Sequence, residues 1–193
     1  MSKKRLPRVI AENIDSIYEK NEVFYNIDDN ASILIQGTLV FGEKSNGMNG
    51  RSTLLRMDSN SQLIVKGSFR FYYGADIKVF SGAKLILGNN SYINSDCKIS
   101  VANSISIGDR CAISHDFTII DSDFHAINGK KESIPVEIGN HVLIGTRVTV
   151  LKGCKIGDGC IIGAGSVVTK SFPPKCMIAG NPAVIIKEDV EWE

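Results

Sequence analysis

The sequence predicts an all-β protein whose chain coils into a parallel β-helix of hexapeptide units. Between residues 136 and 170, six aliphatic residues recur at intervals of six without a slip: Ile138, Ile144, Val150, Ile156, Ile162 and Val168. Four residues after each of the first five stands a small or β-branched residue: Val142, Val148, Cys154, Cys160 and Ser166. A period of six fits neither the 3.6 residues of a helical turn nor the two-residue alternation of an ordinary strand. It is typical of a solenoid in which each hexad forms one short strand and one corner, and three hexads complete a coil.

Glycines directly follow four of these aliphatic residues, which indicates tight corners after the short strands. The four are Gly139, Gly145, Gly157 and Gly163. We expect a positive φ at these corners, which only a residue without Cβ adopts cheaply. A looser version of the same unit recurs earlier in the chain, at 33–37, 63–67, 85–88 and 105–108. The β-helix is therefore predicted to extend from residue 28 to residue 187.

The segments outside the coil are predicted to close its ends. Residues 1–27 contain aliphatic residues at helical spacing, so we expect a short helix over 8–21 that covers the open end of the solenoid. The prolines in residues 171–175 end the hexads, because proline has no N–H for a strand ladder. A short C-terminal extension follows, and residues 188–193 form a charged tail.

Two insertions interrupt the predicted coil. Residues 43–52 have turn composition and are expected to protrude. Residues 121–135, with the sequence DSDFHAINGKKESIP, are polar and stand between two regular coils. Because insertions on one face of a solenoid commonly carry binding residues, this loop is the first candidate for a functional site.

Length and composition limit the classes of function. The 193 residues suffice for one well-buried domain, and a formal net charge of +1 does not favour nucleic acid as a ligand. The chain shows no signal-peptide pattern and no apolar run near the length of about 18 residues that a membrane span needs. Of the five cysteines, Cys111, Cys154 and Cys160 occupy the small inward position of the hexad. We therefore expect reduced core cysteines in a cytoplasmic protein, and not a disulfide framework.

The chain has three histidines, and they differ in context. Intervals of 10 and 16 residues separate His115, His125 and His141, which does not favour a metal site, so we expect no metal. His141 occupies an outward hexad position and is predicted to be a solvated surface residue. His125 lies in the inserted loop beside Asp121 and Asp123, and a histidine oriented by a carboxylate is a common general base. The alternative is a loop histidine whose acidic neighbours make only local turn hydrogen bonds.

From about residue 93 to residue 187 the chain resembles the hexapeptide-repeat acetyltransferases that use acetyl-CoA. The strict hexads carry the resemblance, together with the segments DSDFHAI, IGAGSVVTK and AGNPAVIIK. The maltose and galactoside O-acetyltransferase branch and its polysaccharide-modifying relatives are the most similar. The resemblance implies a left-handed parallel β-helix and a homotrimer with active sites at the subunit junctions. Residues 1–90 match this family only through the loose repeat.

The resemblance also implies roles for individual residues. His125 falls on the catalytic histidine, whereas His115 falls where the relatives place proline, and Asn94 falls on an asparagine that faces the acceptor. Six residues fall along the expected path of acetyl-CoA: Gly145, Thr146, Ala164, Thr169, Lys170 and Lys187. The chain departs from the family at Val184 and Lys187, where the relatives place arginines, and at Leu143, where an aromatic residue is frequent.

The function that follows from the resemblance is acetyl transfer from acetyl-CoA to a hydroxyl of a sugar, in a bacterial surface polysaccharide or its precursor. His125 would act as general base in a direct attack on the thioester, with Asp123 or Asp121 holding its ring. Two alternatives stay open at this point. One is N-acetylation of a nucleotide-linked amino sugar, and the other is a non-catalytic β-helix scaffold.

Overall fold

The structure is a computed structural model that describes residues 9–11, 17–43 and 50–193. Within these ranges all regular secondary structure is β-strand, so none of the described segments is a helix long and apolar enough to cross a membrane. The strands form three sheets, and the chain contributes one strand to each sheet in turn. The predicted parallel β-helix is therefore confirmed.

Each sheet stacks strands that are three elements apart in the chain, except at the end of sheet 2, where β22 pairs with β20 and β23 with β22. Sheet 1 contains β1 (Val9–Ala11), β4 (Ser32–Ile35), β7 (Gln62–Val65), β10 (Lys84–Leu87), β13 (Ser104–Ile107), β16 (Val136–Ile138) and β19 (Lys155–Ile156). Sheet 2 contains β2 (Ile17–Glu19), β5 (Thr38–Glu43), β8 (Ser68–Tyr72), β11 (Ser91–Ile93), β14 (Ala112–Ile113), β17 (Leu143–Ile144), β20 (Ile161–Ile162), β22 (Met177–Gly180) and β23 (Ala183–Lys187). Sheet 3 contains β3 (Val23–Ile27), β6 (Thr53–Met57), β9 (Asp76–Val79), β12 (Lys98–Val101), β15 (Thr118–Ile120), β18 (Thr149–Val150) and β21 (Val167–Val168).

Three corners join the sheets in every coil. We call the corner from sheet 1 to sheet 2 the first corner, that from sheet 2 to sheet 3 the second, and that from sheet 3 to sheet 1 the third. The pairing is parallel throughout, except for the terminal hairpin of β22 and β23. Because successive coils pair in register, residues at one corner form a column that runs along the solenoid.

The core is the stack of inward side chains that the hexads predict. All six aliphatic residues of the repeat are buried, as are the five small or β-branched residues that follow them. Ile138 pairs with Ile156 in the next coil, so identical side chains stack along the axis. Full burial of such a side chain stabilises the fold by roughly 1.5–3 kcal/mol. Cys111, Cys154 and Cys160 are buried thiols without disulfides, as predicted.

The predicted positive φ at the hexad glycines is wrong. Positive φ occurs two residues later, at His141 and Arg147, and then at Gly153, Gly159 and Gly165. The hexad glycines are required for a different reason, which is the close approach of neighbouring coils. A Cβ on Gly145 would lie 2.6 Å from the backbone nitrogen of Ala164. A side chain at that position would push two successive coils apart.

The predicted N-terminal helix is also wrong where the structure describes it. Residues Val9–Ala11 pair in parallel with Ile33–Ile35, and Ile17–Glu19 pair with Leu39–Phe41. The edge of an open sheet offers unpaired backbone groups, and β-branched residues favour a strand that satisfies them. Residues 12–16, within the predicted helix, and 44–49, within the predicted loop 43–52, lie outside the described residues.

The C-terminal tail packs against the first corner. The Val190 N–H donates to the carbonyl of Lys175 at 3.0 Å, and the Trp192 indole stacks on the His141 ring with centroids 4.2 Å apart. The indole N–H donates to the His141 carbonyl at 2.9 Å. His141 is therefore a packed corner residue, and its prediction as a solvated surface residue is wrong.

Candidate active site

The insertion 121–135 replaces the third corner between β15 and β16 and folds as a short hairpin. Its two limbs form antiparallel bridges at Ser122 with Ser133 and at Ile127 with Lys130. Asn128 and Gly129 at the tip both have positive φ, the geometry that a two-residue type I′ turn needs. The Asn-Gly pair is a sequence signal for this hairpin, and the hexad pattern alone does not predict it.

Asp121 fastens the base of the hairpin to the preceding coil. Its side chain is fully buried, and its two carboxylate oxygens accept hydrogen bonds from the backbone N–H groups of Ala102 and Asn103 at 2.7 and 2.8 Å. Burial raises the pKa of Asp121 above its ordinary value, although these backbone donors act in the opposite direction. Both oxygens of the Asp121 carboxylate are therefore engaged by the backbone of the preceding coil.

Lys152 fastens both limbs of the hairpin to the following coil. Its ammonium group donates to Asp123 Oδ2 at 2.6 Å and to Glu132 Oε2 at 3.0 Å. Hydrogen bonds to these two carboxylates raise the pKa of Lys152. Asp123, the other residue expected to orient the histidine, thus has an oxygen occupied by Lys152, and only Oδ1 remains for His125.

His125 lies on the exposed side of this anchored hairpin. The residue before it, Phe124, has a positive φ of 57° and packs its ring on Phe80 with centroids 5.1 Å apart. Phe80 follows β9, so the hairpin reaches back across the Ala102–Asn103 corner toward the N-terminal coils. The loop is thus held from both axial directions, while the imidazole stays accessible to a ligand.

The residues expected at the acceptor and along the coenzyme lie in part at the second corner. Asn94, Thr146 and Ala164 follow β11, β17 and β20, so all three lie at this corner. Thr146 and Ala164 form one column, and Asn94 stands in the adjacent column with Gly145. Asn94 Oδ1 accepts a hydrogen bond from the Ser95 N–H at 2.8 Å. Ala164 is exposed, and Gly145 lies directly beneath its backbone. Small residues here leave room beside the backbone of the coil.

His115 lies in the column of Thr146 and Ala164 at the second corner, and its side chain has polar partners. Its Nδ1 lies 2.8 Å from Asp116 Oδ2, and the Thr146 hydroxyl lies 3.0 Å from the same nitrogen. This side chain therefore has the carboxylate neighbour that sequence reasoning assigned to His125. It is the second histidine that the geometry offers as a proton acceptor.

The remaining coenzyme residues lie near the C-terminal end. Thr169 and Lys170 are exposed at the third corner, after β21, which stacks two strands beyond β15 in sheet 3. The Lys170 ammonium lies over the Phe172 ring, 5.6 Å from its centroid. Lys187 ends β23 on the terminal hairpin and is exposed, as is Val184.

The predicted site residues of one chain are thus divided between two corners. The hairpin with His125 shares the third corner with Thr169 and Lys170, whereas Asn94, Thr146 and Ala164 form the second. Thr169 lies five positions after Ala164 in the sequence, so the two residues are at most roughly 16 Å apart. In the described residues, no three or more His, Cys, Asp or Glu side chains are grouped so that they could hold a metal ion.

Comparison with known proteins identifies the repeat. The family described as bacterial transferase hexapeptide (six repeats) matches residues 135–170. Galactoside O-acetyltransferase of Escherichia coli (strain K12) is 38% identical over 112 residues, which cover 55% of this chain and 55% of that protein. The structure of a maltose O-acetyltransferase from Clostridium difficile 630 is 32% identical, with 69% of each chain covered and a TM-score of 0.53. The chain belongs to the hexapeptide-repeat transferase family.

Two further solved structures of this family extend the similarity. The polysialic acid O-acetyltransferase OatWY is 27% identical, with 92% of this chain and 90% of that chain covered and a TM-score of 0.67. A galactoside acetyltransferase in complex with coenzyme A is 31% identical, with 68% and 66% covered and a TM-score of 0.54. The chain spans about half the length of the curated galactoside relative that it matches. The fold is the left-handed parallel β-helix expected of a hexapeptide-repeat transferase.

Proposed function

We propose that this protein transfers an acetyl group from acetyl-CoA to a hydroxyl group of a sugar. The observation that carries the proposal is the anchored hairpin, which presents His125 at an accessible corner of a hexapeptide-repeat transferase fold. Support comes from galactoside, maltose and polysialic acid O-acetyltransferases, all of which are similar to this chain. The similarity to an acetyltransferase solved with coenzyme A supports the choice of donor.

In this mechanism His125 is the general base. Its imidazole accepts the proton of the sugar hydroxyl as that oxygen attacks the thioester carbonyl, and it returns the proton to the departing thiolate of CoA. A backbone N–H at a coil corner stabilises the negative charge on the carbonyl oxygen. General-base assistance supplies about 10² to 10⁴ in rate, and alignment of two bound substrates supplies the rest. Asp123 Oδ1 is the group that would hold the imidazole once substrates are bound.

The residues along the C-terminal coils fit the chemistry of CoA. Exposed Ala164 and the close-packed Gly145 leave the second corner free for the extended pantetheine arm, and the Thr146 hydroxyl can bond its amides. Thr169, Lys170 and Lys187 supply polar and cationic groups for the phosphates. These cations are exposed, so each contact contributes modestly because solvent screens it.

The division of the site between two corners supports a homotrimer with shared sites. The outward side chains of sheet 3 include several charged residues in the N-terminal half: Arg56, Asp76, Lys78 and Lys98. From β15 onward the outward side chains are uncharged: Thr118, Ile120, Thr149, Leu151 and Val167. If copies pack through this uncharged part, the third corner of one copy meets the second corner of the next, and three copies close a ring. Sedimentation that gives only a 21.0 kDa species would contradict the trimer.

A panel of sugar acceptors, with thiol release as the readout, tests the activity. We expect acetyl-CoA-dependent thiol release that rises with a hydroxyl acceptor, and a thermal shift on addition of CoA. Preference for amino sugars over matched hydroxyl sugars would instead favour N-acetylation. A protein that neither binds CoA nor releases thiol would be a scaffold. A cytoplasmic location, predicted from the reduced cysteines, is part of this proposal.

A further inference from the structure

A partly exposed aromatic and basic surface lies beside His125, on the side away from the expected coenzyme residues. Phe124 precedes His125 and packs on Phe80, and the Arg56 guanidinium carbon lies 5.7 Å from the centroid of the Phe80 ring. Lys78 lies beside Arg56, because β6 and β9 pair with these two residues in register. We call Arg56, Lys78, Phe80 and Phe124 the Phe80 patch. Three of its four members lie outside residues 93–187, the part of the chain with specific family motifs.

The patch extends farther from His125 than one sugar ring. Phe124 belongs to the hairpin after β15, while Arg56 lies on β6, three strands earlier in sheet 3. At about 4.8 Å per strand, Arg56 lies roughly 14 Å along the axis from the coil that carries the hairpin. A single pyranose ring at His125 cannot span that distance, but a linked chain of sugars can.

The side chains of the patch suit a hydroxyl-rich ligand. The Phe80 and Phe124 rings are partly exposed, and the exposed part offers apolar surface to the C–H groups of a sugar ring. Arg56 makes two hydrogen bonds to Asp58, at 2.9 and 3.1 Å, and Lys78 makes one to Asp76 at 2.8 Å. These pairs hold the polar groups in fixed positions, which lowers the entropy lost on binding. Because the charges cancel within each pair, the patch has little net electrostatic potential. It offers neighbouring hydrogen-bond donors and acceptors to the hydroxyl groups of a sugar.

The position of the patch also separates acceptor from donor. Thr169 and Lys170 lie two coils beyond the hairpin in the C-terminal direction, and Phe80 lies two coils before it. A donor on the C-terminal side and an acceptor on the N-terminal side would therefore approach His125 from opposite directions, without competing for the same surface.

We propose that the Phe80 patch binds the sugar units that flank the acetylated one, so that the acceptor is an oligosaccharide or polysaccharide chain and not a free monosaccharide. This inference rests on the proposed function, and it assigns a role to coils within residues 1–90. It predicts that turnover depends on acceptor length and that this dependence resides in the patch, where Arg56 and Lys78 can be replaced without touching the His125 hairpin.

The test uses two length ladders as probes, one of malto-oligosaccharides and one of sialic acid oligomers, each from the monomer to the hexamer. In one ladder we expect kcat/KM of the full-length protein to rise at least about tenfold between monomer and tetramer. Arg56→Met and Lys78→Met should remove this rise and leave kcat/KM for the monomer unchanged, whereas Phe80→Tyr, which keeps the ring that packs on Phe124, should retain the rise. Tyr18→Ala on sheet 2 and Arg110→Met at the first corner are matched controls, and they should retain the rise.

CoA binding and melting temperature, measured on the same variants, separate the possible failures. Two results with a wild-type protein that binds CoA overturn this inference alone. One is a kcat/KM that does not change with acceptor length in either ladder, and the other is the absence of transfer to both ladders. Retained length dependence in folded Arg56→Met and Lys78→Met also overturns this inference alone. A wild-type protein that neither binds CoA nor releases thiol overturns the proposed function, and this inference with it.

Discussion

Replacement of Lys152 by methionine should lower kcat, because this lysine ties both limbs of the His125 hairpin to the coil. Methionine keeps the aliphatic stem but removes both charge-assisted hydrogen bonds, at 2.6 Å to Asp123 and 3.0 Å to Glu132. The Lys152 and Asp123 side chains are only 25% and 21% exposed, so solvent replaces the lost contact poorly. Two carboxylates then face each other without a cation, and their repulsion favours an open hairpin.

The size of the effect follows from the position of His125. A shift of about 1 Å in a reacting group can cost about 10²-fold in rate, so we expect Lys152→Met to lower kcat by about 10-fold to about 10²-fold. The KM for acetyl-CoA should change little, because Thr169 and Lys170 lie on another coil. Carboxylate contacts raise the Lys152 pKa, so the clamp is complete below the ordinary lysine pKa and is lost only as pH rises through the raised value.

Steady-state kinetics with acceptor and donor varied separately measure this prediction. Lys152→Arg should recover most of the activity, since a guanidinium can bridge the same carboxylates. Lys155→Met is the matched control, because Lys155 pairs with Glu137 at 2.9 Å on sheet 1, where the two side chains are 66% and 50% exposed. Equal kcat values for Lys152→Met and Lys155→Met would refute the positioning role.

Three other substitutions test separate parts of the structure. His125→Ala should stay folded and lose at least about 10² in kcat, with His115→Ala much milder; if the two effects are exchanged in the same assay, His115 is the base. Lys170→Ala should raise the KM for acetyl-CoA several-fold with kcat nearly unchanged, and Val184→Arg should lower it; a loss in kcat alone would place the coenzyme elsewhere. Asp121→Asn should lower the free energy of unfolding by about 1–3 kcal/mol in a denaturant titration, because an amide NH₂ would face a backbone N–H; an unchanged midpoint would contradict the anchoring role.

The period of six predicts the coil well because each inward side chain is fixed by burial alone. Every aliphatic position of the hexad from Ile138 to Val168 is buried. The burial of these side chains can be predicted without knowing which distant residues they contact. The same reasoning fails at Gly145, whose role depends on the backbone of Ala164 in the next coil. Local sequence cannot distinguish a positive φ from a close approach between coils.

The structures of the N-terminal segment and the hairpin depend on contacts with residues that are distant in sequence, and a local sequence pattern does not predict such contacts. Aliphatic residues near Ile17 have helical spacing, but an open sheet edge pairs with Ile17–Glu19 as a strand. Asp121 and Asp123 are near His125 in sequence, yet both oxygens of Asp121 accept from backbone N–H groups and one oxygen of Asp123 accepts from Lys152. Lys152 lies 29 residues from Asp123, so the sequence contains no signal for that contact.

The division of one site between two copies is the claim on which the account depends most. It can be measured by mixing two inactive variants, His125→Ala at the third corner and Asn94→Ala at the second, and reassembling the oligomers. If a site takes His125 from one copy and Asn94 from the next, about a quarter of the junctions in a random equal mixture contain both native residues. We therefore expect acetyl transfer to return to about a quarter of the wild-type rate in the mixture, while each variant alone stays inactive. A mixture that reassembles and binds CoA but remains as inactive as its parents would contradict the shared site.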